Sequence, residues 1–187
     1  MAALLAARFG RLFAASGVHS GVMYRAATNA IQALDVLRRG AHCAPAESAH
    51  QLVSELGQSL VFVPTIVIHG SVDTVVNPLN ATQIVEQLCA LANQLSPHSP
   101  PLEPDKERMI DRDGRTYRQR DFQRGGRVLV RSLLVEDLGH AWSGGDATYK
   151  FNDAEGPDAS HLIAEFVLQF RTRGPVALPD SASLMAG

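Results

Sequence analysis

A segment with a continuous β-branched run, at residues 64–69, constrains the fold more than any other feature of this chain. The run reads Pro-Thr-Ile-Val-Ile-His, is rich in β-branched residues, and does not alternate apolar with polar side chains. Such a run is typical of a central strand in a parallel sheet, where both faces of the strand are buried. The segment Asn77-Pro78 then opens a helical pattern at residues 79–95, with proline at a first-turn position.

Strand and helix patterns alternate along the rest of the chain. Besides residues 64–69, we expect strands at 13–19, 115–123 and 127–136, the last two joined in a β-hairpin by Arg124-Gly125-Gly126. Further helices are expected at residues 2–9, 26–39, 46–56 and 160–171. This order predicts an α/β fold in which a mostly parallel sheet with a β-hairpin has helices on both faces.

The length of 187 residues favours one domain. We expect that domain to span residues 1–172. Residues 96–106 contain four prolines and are predicted to form a surface loop within the domain. Residues 173–187 follow the last predicted helix and are expected to form a disordered tail.

Composition excludes several classes of function. The net charge is −2, so no electrostatic argument favours nucleic acid. Arginines between Arg108 and Arg131 alternate with aspartates, which favours a solvated hairpin face over a polyanion site. No apolar run reaches the roughly 18 residues of a membrane span. Residues 1–11 read as a helix rather than as a secretory signal, because the apolar stretch before Arg8 is short and no basic segment precedes it.

The two cysteines leave two alternatives open. Cys43 and Cys89 are too few and too far apart to indicate a zinc site. They can form one disulfide in an oxidising compartment, or they can be two buried thiols.

An acid and a base each follow a predicted strand. Asp73 lies in the turn after residues 64–69, and His140 follows the apolar run at residues 128–135. Sites in open parallel sheets form at these carboxyl ends of strands. A carboxylate, a histidine and a serine are the parts of an ester-hydrolysing triad, and acid before base is a known chain order. Gly139 is expected to allow a tight approach beside His140, and Trp142 can wall an apolar pocket.

Each of these residues has a structural alternative. Asp73 can cap the backbone of its own turn. His140 can be a loop histidine bonded to backbone, and His69 is better explained as a hydrogen-bonded histidine at a strand end. A metal site made of His19, His69 and His140 is a further alternative, but no ligand spacing supports it.

Four segments together resemble a known family. They are residues 13–21, 64–80, 139–145 (Gly-His-Ala-Trp-Ser-Gly-Gly) and 156–160. In order and spacing they look like the C-terminal half of the poly(3-hydroxybutyrate) depolymerase-like esterases, which also resemble feruloyl and acetyl-xylan esterases. The resemblance implies a partial α/β-hydrolase fold, carboxylic ester hydrolysis without a cofactor, and secretion to an extracellular or periplasmic location. It gives Asp73 the acid role and His140 the base role, on a polyester, a polysaccharide ester or a small acyl ester.

The nucleophile departs from the family pattern. The family serine lies in a Gly-x-Ser-x-Gly elbow, and no serine of this chain has glycine both two positions before and two positions after it. Residues 1–7 resemble the helix that follows the elbow. We therefore expect a chain that is truncated before the nucleophile and the oxyanion loop, and inactive alone. The alternative is a non-catalytic remnant or interaction protein, to which a partner chain supplies the missing strands.

Overall fold

The computed structural model describes residues 1–172; the tail predicted at residues 173–187 lies outside the described residues. Helices and strands alternate as expected for an α/β chain. The helices are α1 (Ala2–Arg8), α2 (Ala30–Arg39), α3 (Pro45–Leu56), α4 (Leu79–Gln94) and α5 (Ala159–Val167), with short 3₁₀ turns at Gly10–Leu12 and Gly57–Ser59. The strands are β1 (Ser16–His19), β2 (Thr65–Gly70), β3 (Glu103–Pro104), β4 (Arg108–Arg112), β5 (Arg115–Arg124), β6 (Arg127–Val135), β7 (Trp142–Ser143) and β8 (Asn152–Asp153).

One sheet organises the fold. Its strand order is β1-β2-β6-β5-β3, and β4 also pairs with β5. The three strands that carry the candidate site, β1, β2 and β6, run parallel, whereas β5 and its neighbours β3, β4 and β6 pair antiparallel. A separate two-stranded parallel pair joins β7 to β8. The predicted α/β fold, with parallel central strands and an added hairpin, is confirmed.

Strand β2 is buried along its whole length, as its composition predicts. Ile66 and Ile68 pack on one face of the sheet in a cluster with Phe166 of α5. Val67, which points to the other face, packs in a second cluster with Ile84 of α4. This alternation places helices on both faces of the sheet and explains why the strand has no polar side.

Several details differ from the expected elements, including three two-residue strands that were not predicted (β3, β7 and β8) and the end of α5 at Val167 instead of residue 171. The first strand covers only Ser16–His19, because residues 13–15 are not paired with β2. Helix α2 begins later than expected, at Ala30, where the Asn29 side chain accepts a hydrogen bond from the amide of Gln32 and caps the helix. Strand β4 was not predicted. It lies at a sheet edge and its side chains are largely exposed, so it has no apolar alternation to reveal it.

Several of the hairpin arginines are paired with acids in the structure. Arg118 contacts Glu136, and Arg120 contacts Glu107. This agrees with a solvated hairpin face. Both cysteines are free thiols, and burial raises the pKa of Cys89 to about 12. Among residues 1–172, no helix is both long enough and apolar enough to cross a membrane.

Strand β1 has only one neighbour among the described strands. The amides of Ser16 and Ser20 donate to Pro64 and Ile68 on the β2 side. Main-chain groups of successive strand residues point to alternate sides, so those of Gly17 and His19 face away from β2. The carboxyl end of β1 therefore borders an open sheet edge.

Candidate active site

Asp73 uses its two carboxylate oxygens for different tasks. Oδ1 accepts hydrogen bonds from the backbone amides of Val75 at 2.9 Å and Val76 at 2.8 Å. Oδ2 lies 2.9 Å from Nδ1 of His140. Asp73, a residue only 3% exposed, thus caps its own turn and also bonds to the imidazole of His140.

The loop that carries His140 is held against the turn after β2. The amide of Ser71 donates to Val135, and the amide of Val72 donates to Leu138. The Ser71 hydroxyl accepts from the amide of Asp137, which has a left-handed φ of 56°. These contacts bring the ends of β2 and β6 together and fix where His140 lies.

The close approach in this loop depends on Gly70. A Cβ atom at Gly70 would collide with the carbonyl oxygens of Leu138 and Gly139. A Cβ atom at Gly139 would meet nothing within 4 Å. The expectation that Gly139 permits the tight approach is therefore wrong: Leu138 and Gly139 contribute the carbonyls, and the missing side chain of Gly70 leaves space for them.

The electrostatic environment keeps Asp73 ionised. Burial by itself raises the pKa of Asp73, but the hydrogen bonds from Val76, His140 and Val75 outweigh it, so the pKa lies below its ordinary value. Because a carboxylate only accepts, Nδ1 of His140 carries the proton of this bond. The Nε2 lone pair of neutral His140 is then free to take a proton. The His140 side chain is 31% exposed, so the imidazole is reachable.

His69 supports the same turn from inside the sheet. It is fully buried, and its Nε2 donates to the carbonyl of Val76 at 2.8 Å. Burial lowers its pKa, so the ring is neutral at physiological pH. Its Nε2 is also 3.5 Å from Oδ2 of Asp73. His69 is the hydrogen-bonded strand-end histidine that the sequence favoured.

A comparison with family models identifies the family, and a comparison with solved structures bears on the fold. Residues 1–97, more than half of the chain, match the family described as esterase PHB depolymerase. The chain belongs to this esterase family. No curated protein matches it. An acetyl xylan esterase from Aspergillus awamori is similar in structure, with a TM-score of 0.57 and 20% sequence identity, over 74% of this chain and 49% of that one. The chain thus spans about half the length of that solved structure, and the likeness supports the fold.

Aromatic side chains lie near His140 in the chain or in space. Trp142 is 37% exposed, and its indole Nε1 donates to Ser160 at 3.2 Å. The ring of Phe151 meets His140 edge-on, with centroids 5.9 Å apart. His19 stacks on Trp142 at 4.7 Å. The role of Trp142 as a pocket wall stays a prediction. Sequence reasoning missed Phe151, which lies in a polar loop without periodicity.

No serine hydroxyl of residues 1–172 makes a hydrogen bond to His140. Ser143 is completely buried and its hydroxyl donates to the carbonyl of Pro157. Ser20 lies beside the ring of His19 instead. In the part of the chain that the structure describes, no three His, Cys, Asp or Glu side chains are arranged to hold a metal ion. The site can therefore orient a histidine and stabilise its cation, which is general acid-base chemistry.

Proposed function

We propose that this chain provides the acid, Asp73, and the base, His140, of a carboxylic ester hydrolase. The nucleophilic serine comes from a polypeptide segment other than residues 1–187, so the chain is inactive alone. The observation that carries the proposal is the 2.9 Å hydrogen bond between a buried carboxylate and a partly exposed imidazole. The residues beside these two give the proposal its mechanism.

In that mechanism His140 Nε2 takes the hydroxyl proton as the serine oxygen attacks the ester carbonyl. The proton then passes from Nε2 to the departing alcohol, which leaves an acyl-serine. Water repeats the sequence and releases the acid. Asp73 holds the imidazole through Nδ1 and stabilises the cation that forms in both halves. The lowered pKa of Asp73 supports this role, because the carboxylate stays charged throughout.

The open edge of β1 supports the proposal that the nucleophilic serine comes from another segment. A strand added parallel to β1 would bond to the outward main-chain groups of Gly17 and His19, about 5 Å away. Its carboxyl end would then lie beside the carboxyl end of β1, on the side of the sheet where His140 lies. We propose that such a strand, ending in a turn with a serine, completes the site.

Exposed apolar side chains precede that edge. Leu4, Phe9, Leu12 and Phe13 are between 39% and 51% exposed within one stretch of chain that leads into β1. An interacting segment would cover them. The same surface supports the second candidate function, a non-catalytic interaction protein that binds a partner through this edge.

The substrate is proposed to be an ester whose acyl group is apolar or lies against aromatic rings. Trp142 and Phe151 border His140 and are 37% and 68% exposed, which supports an apolar wall at the reacting carbonyl. A polyester, a feruloyl or acetyl group on a polysaccharide, and a small acyl ester all meet this description.

An esterase assay tests the inactivity of the isolated chain. The purified chain is incubated with p-nitrophenyl acetate and, separately, with a fluorophosphonate label. We expect no labelling and no serine-dependent turnover. Any background turnover should be the same in His140→Ala and in the exposed-site control His98→Ala. Serine-dependent turnover that is lost in His140→Ala alone would disprove the external origin of the nucleophile.

Complementation separates the enzyme from the interaction protein. The chain is co-expressed with the preceding half of a family esterase that carries a Gly-x-Ser-x-Gly elbow. Labelling of that serine, dependent on His140, is expected for the esterase. A stable complex without labelling would favour the interaction protein, and no complex would contradict both. The coding sequence upstream of Met1 provides a second test, since an in-frame elbow there would supply the serine in the same polypeptide.

A further inference from the structure

His19 occupies a position that the proposed triad does not use. It is the last residue of β1, and its ring stacks on Trp142 with centroids 4.7 Å apart and an interplanar angle of 21°. Its Nε2 lies 3.4 Å from the backbone nitrogen of Ser143, and its Nδ1 lies 3.1 Å from the hydroxyl of Ser20. The ring therefore contacts the segment two and three residues beyond His140.

These partners determine the protonation of the ring. A backbone amide can only donate, so Nε2 of His19 must accept the hydrogen bond from Ser143 and carries no proton. The single proton of the neutral ring then lies on Nδ1 and is donated to the Ser20 hydroxyl. A second proton on Nε2 would face the Ser143 N–H and abolish the contact. The geometry thus selects one neutral tautomer of His19.

The Trp142–Ser143 segment is fixed from several directions. The amide of Trp142 donates to the carbonyl of Phe151 at 2.7 Å, and the indole Nε1 donates to Ser160 of α5. The Ser143 hydroxyl donates to Pro157. His19 provides the contact to the central sheet, on the ring face of Trp142. Among the described residues, the other hydrogen bonds of this segment go to Phe151, next to the peripheral β8, and to residues around the start of α5.

We propose that His19 is a positioning residue of this site: its neutral ring holds Trp142 and Ser143 against β1, and its protonation releases them. The consequence for catalysis rests on the proposed function, because Trp142 and His140 share one loop. Loss of the His19 contact would let the pocket wall move relative to the base. The contact itself can be measured without any esterase activity.

The neighbouring charges agree with a neutral ring. Burial, His69 and His140 lower the pKa of His19 to about 4, and Asp73 opposes them. The ionisable groups on α5 and its cap are engaged elsewhere: Asp158 caps the helix at His161, whose ring pairs with Glu165 at 3.1 Å. At neutral pH His19 therefore keeps its contacts with Trp142 and Ser143, and in acid it loses them.

Tryptophan fluorescence tests the proposal directly, because Trp142 is the only tryptophan in the chain. An indole that is released from the stacked imidazole meets a different environment, and its emission changes. Between pH 7 and pH 3.5 we expect an emission change centred near pH 4, the pKa of His19. The change should be absent in His19→Gln, whose amide oxygen can still accept from Ser143 but does not titrate. His98→Gln, at an exposed position, is the matched control and should keep the change. Far-ultraviolet circular dichroism at each pH separates this signal from unfolding.

Quenching by acrylamide measures the packing itself. At pH 7 the quenching constant of Trp142 should rise about twofold in His19→Ala, which removes the stacked ring. An acid transition that survives in His19→Gln, or unchanged quenching in folded His19→Ala, would overturn the proposal.

The downfield NMR resonance of the His140 Nδ1 proton gives a readout at the base. That proton lies in the bond to Asp73. It should exchange faster with water in His19→Ala and be restored in His19→Gln. An unchanged exchange rate in His19→Ala would overturn the link to His140. Since none of these three measurements requires turnover, failure of the proposed esterase function would leave their results interpretable.

Discussion

Two buried aspartates in this protein have the same exposure and opposite surroundings. Asp73 and Asp121 are each 3% exposed. Asp121, on β5, binds Arg131 through both oxygens at 2.7 and 2.8 Å, and also binds Arg108 at 2.9 Å. Asp73 instead binds two backbone amides and the titratable ring of His140. Burial of a carboxylate does not by itself indicate function. What separates the two is whether the partner can give up a proton.

The largest difference is expected in catalysis. In an assembly that hydrolyses esters, Asp73→Asn should lower kcat by about 10⁴-fold, because an asparagine NH₂ cannot accept the Nδ1 proton and favours the wrong tautomer of His140. Asp121→Asn should leave the kcat of the folded fraction unchanged, since Asp121 contacts arginines in the hairpin. Steady-state kinetics with active-site titration measures both variants. Equal losses in the two variants would remove the functional distinction between the aspartates.

For stability, Asp121→Asn is expected to have a larger effect than Asp73→Asn. Asp121→Asn should lower the free energy of unfolding by about 3 to 5 kcal/mol, because it leaves the half-buried Arg131 without a counter-charge. Asp73→Asn should cost only about 1 kcal/mol, since its amide oxygen can still accept from the turn amides. Urea unfolding of the isolated chain gives both values. A larger loss for Asp73→Asn would mean that Asp73 is chiefly a structural residue.

Sequence reasoning found Asp73 and His140 but not the contrast with Asp121. The site residues follow strands of distinctive composition, β2 and β6, and their positions at strand ends are readable from a one-dimensional pattern. Asp121 lies inside β5 among arginines, where all residues except Tyr117 and Phe122 are polar and the alternation is weak. Its burial depends on pairing with β6 and on Arg108 from β4, a strand without an apolar pattern.

The same limit explains the other misses around the site. The stacking of His19 on Trp142 joins residues 123 positions apart in the chain, and no local sequence pattern around either residue predicts it. The sequence indicated Gly139 rather than Gly70 as the site of the tight approach, and the cause is similar. Both glycines stand beside a candidate site residue in sequence, but only the approach of one backbone to the other decides which of them needs to lack a side chain.

Acid should lower the stability that the region around Asp73 and His19 contributes. The pKa of His19 is about 4 in the folded chain and 6.5 in its ordinary state, so the unfolded chain binds the proton first as pH falls. Stability from His19 is complete above pH 6.5 and is lost as pH falls toward 4, by about 3 kcal/mol at most. The lowered pKa values of His69 and Asp73 act in the same direction. Urea unfolding at pH 7 and pH 4.5 should show a smaller decrease in His19→Gln than in the parent chain. An identical decrease would show that His19 does not cause the acid sensitivity.

The smallest of these effects tests how the two loops of the site are held together. Gly70→Ala should destabilise the chain by about 2 kcal/mol, because its methyl group meets backbone carbonyls that cannot rotate away. Gly139→Ala should change stability by less than about 0.5 kcal/mol, since open space surrounds that position. The NMR signal of the His140 Nδ1 proton should weaken in Gly70→Ala and persist in Gly139→Ala. If both variants kept the signal and the stability, the Asp73–His140 bond would hold without the backbone approach. The difference between Asp73 and Asp121 would then depend on their side-chain partners alone. Loss of the NMR signal and of stability in Gly70→Ala would show instead that the Asp73–His140 pair also requires the main chain to bring β2 and β6 together.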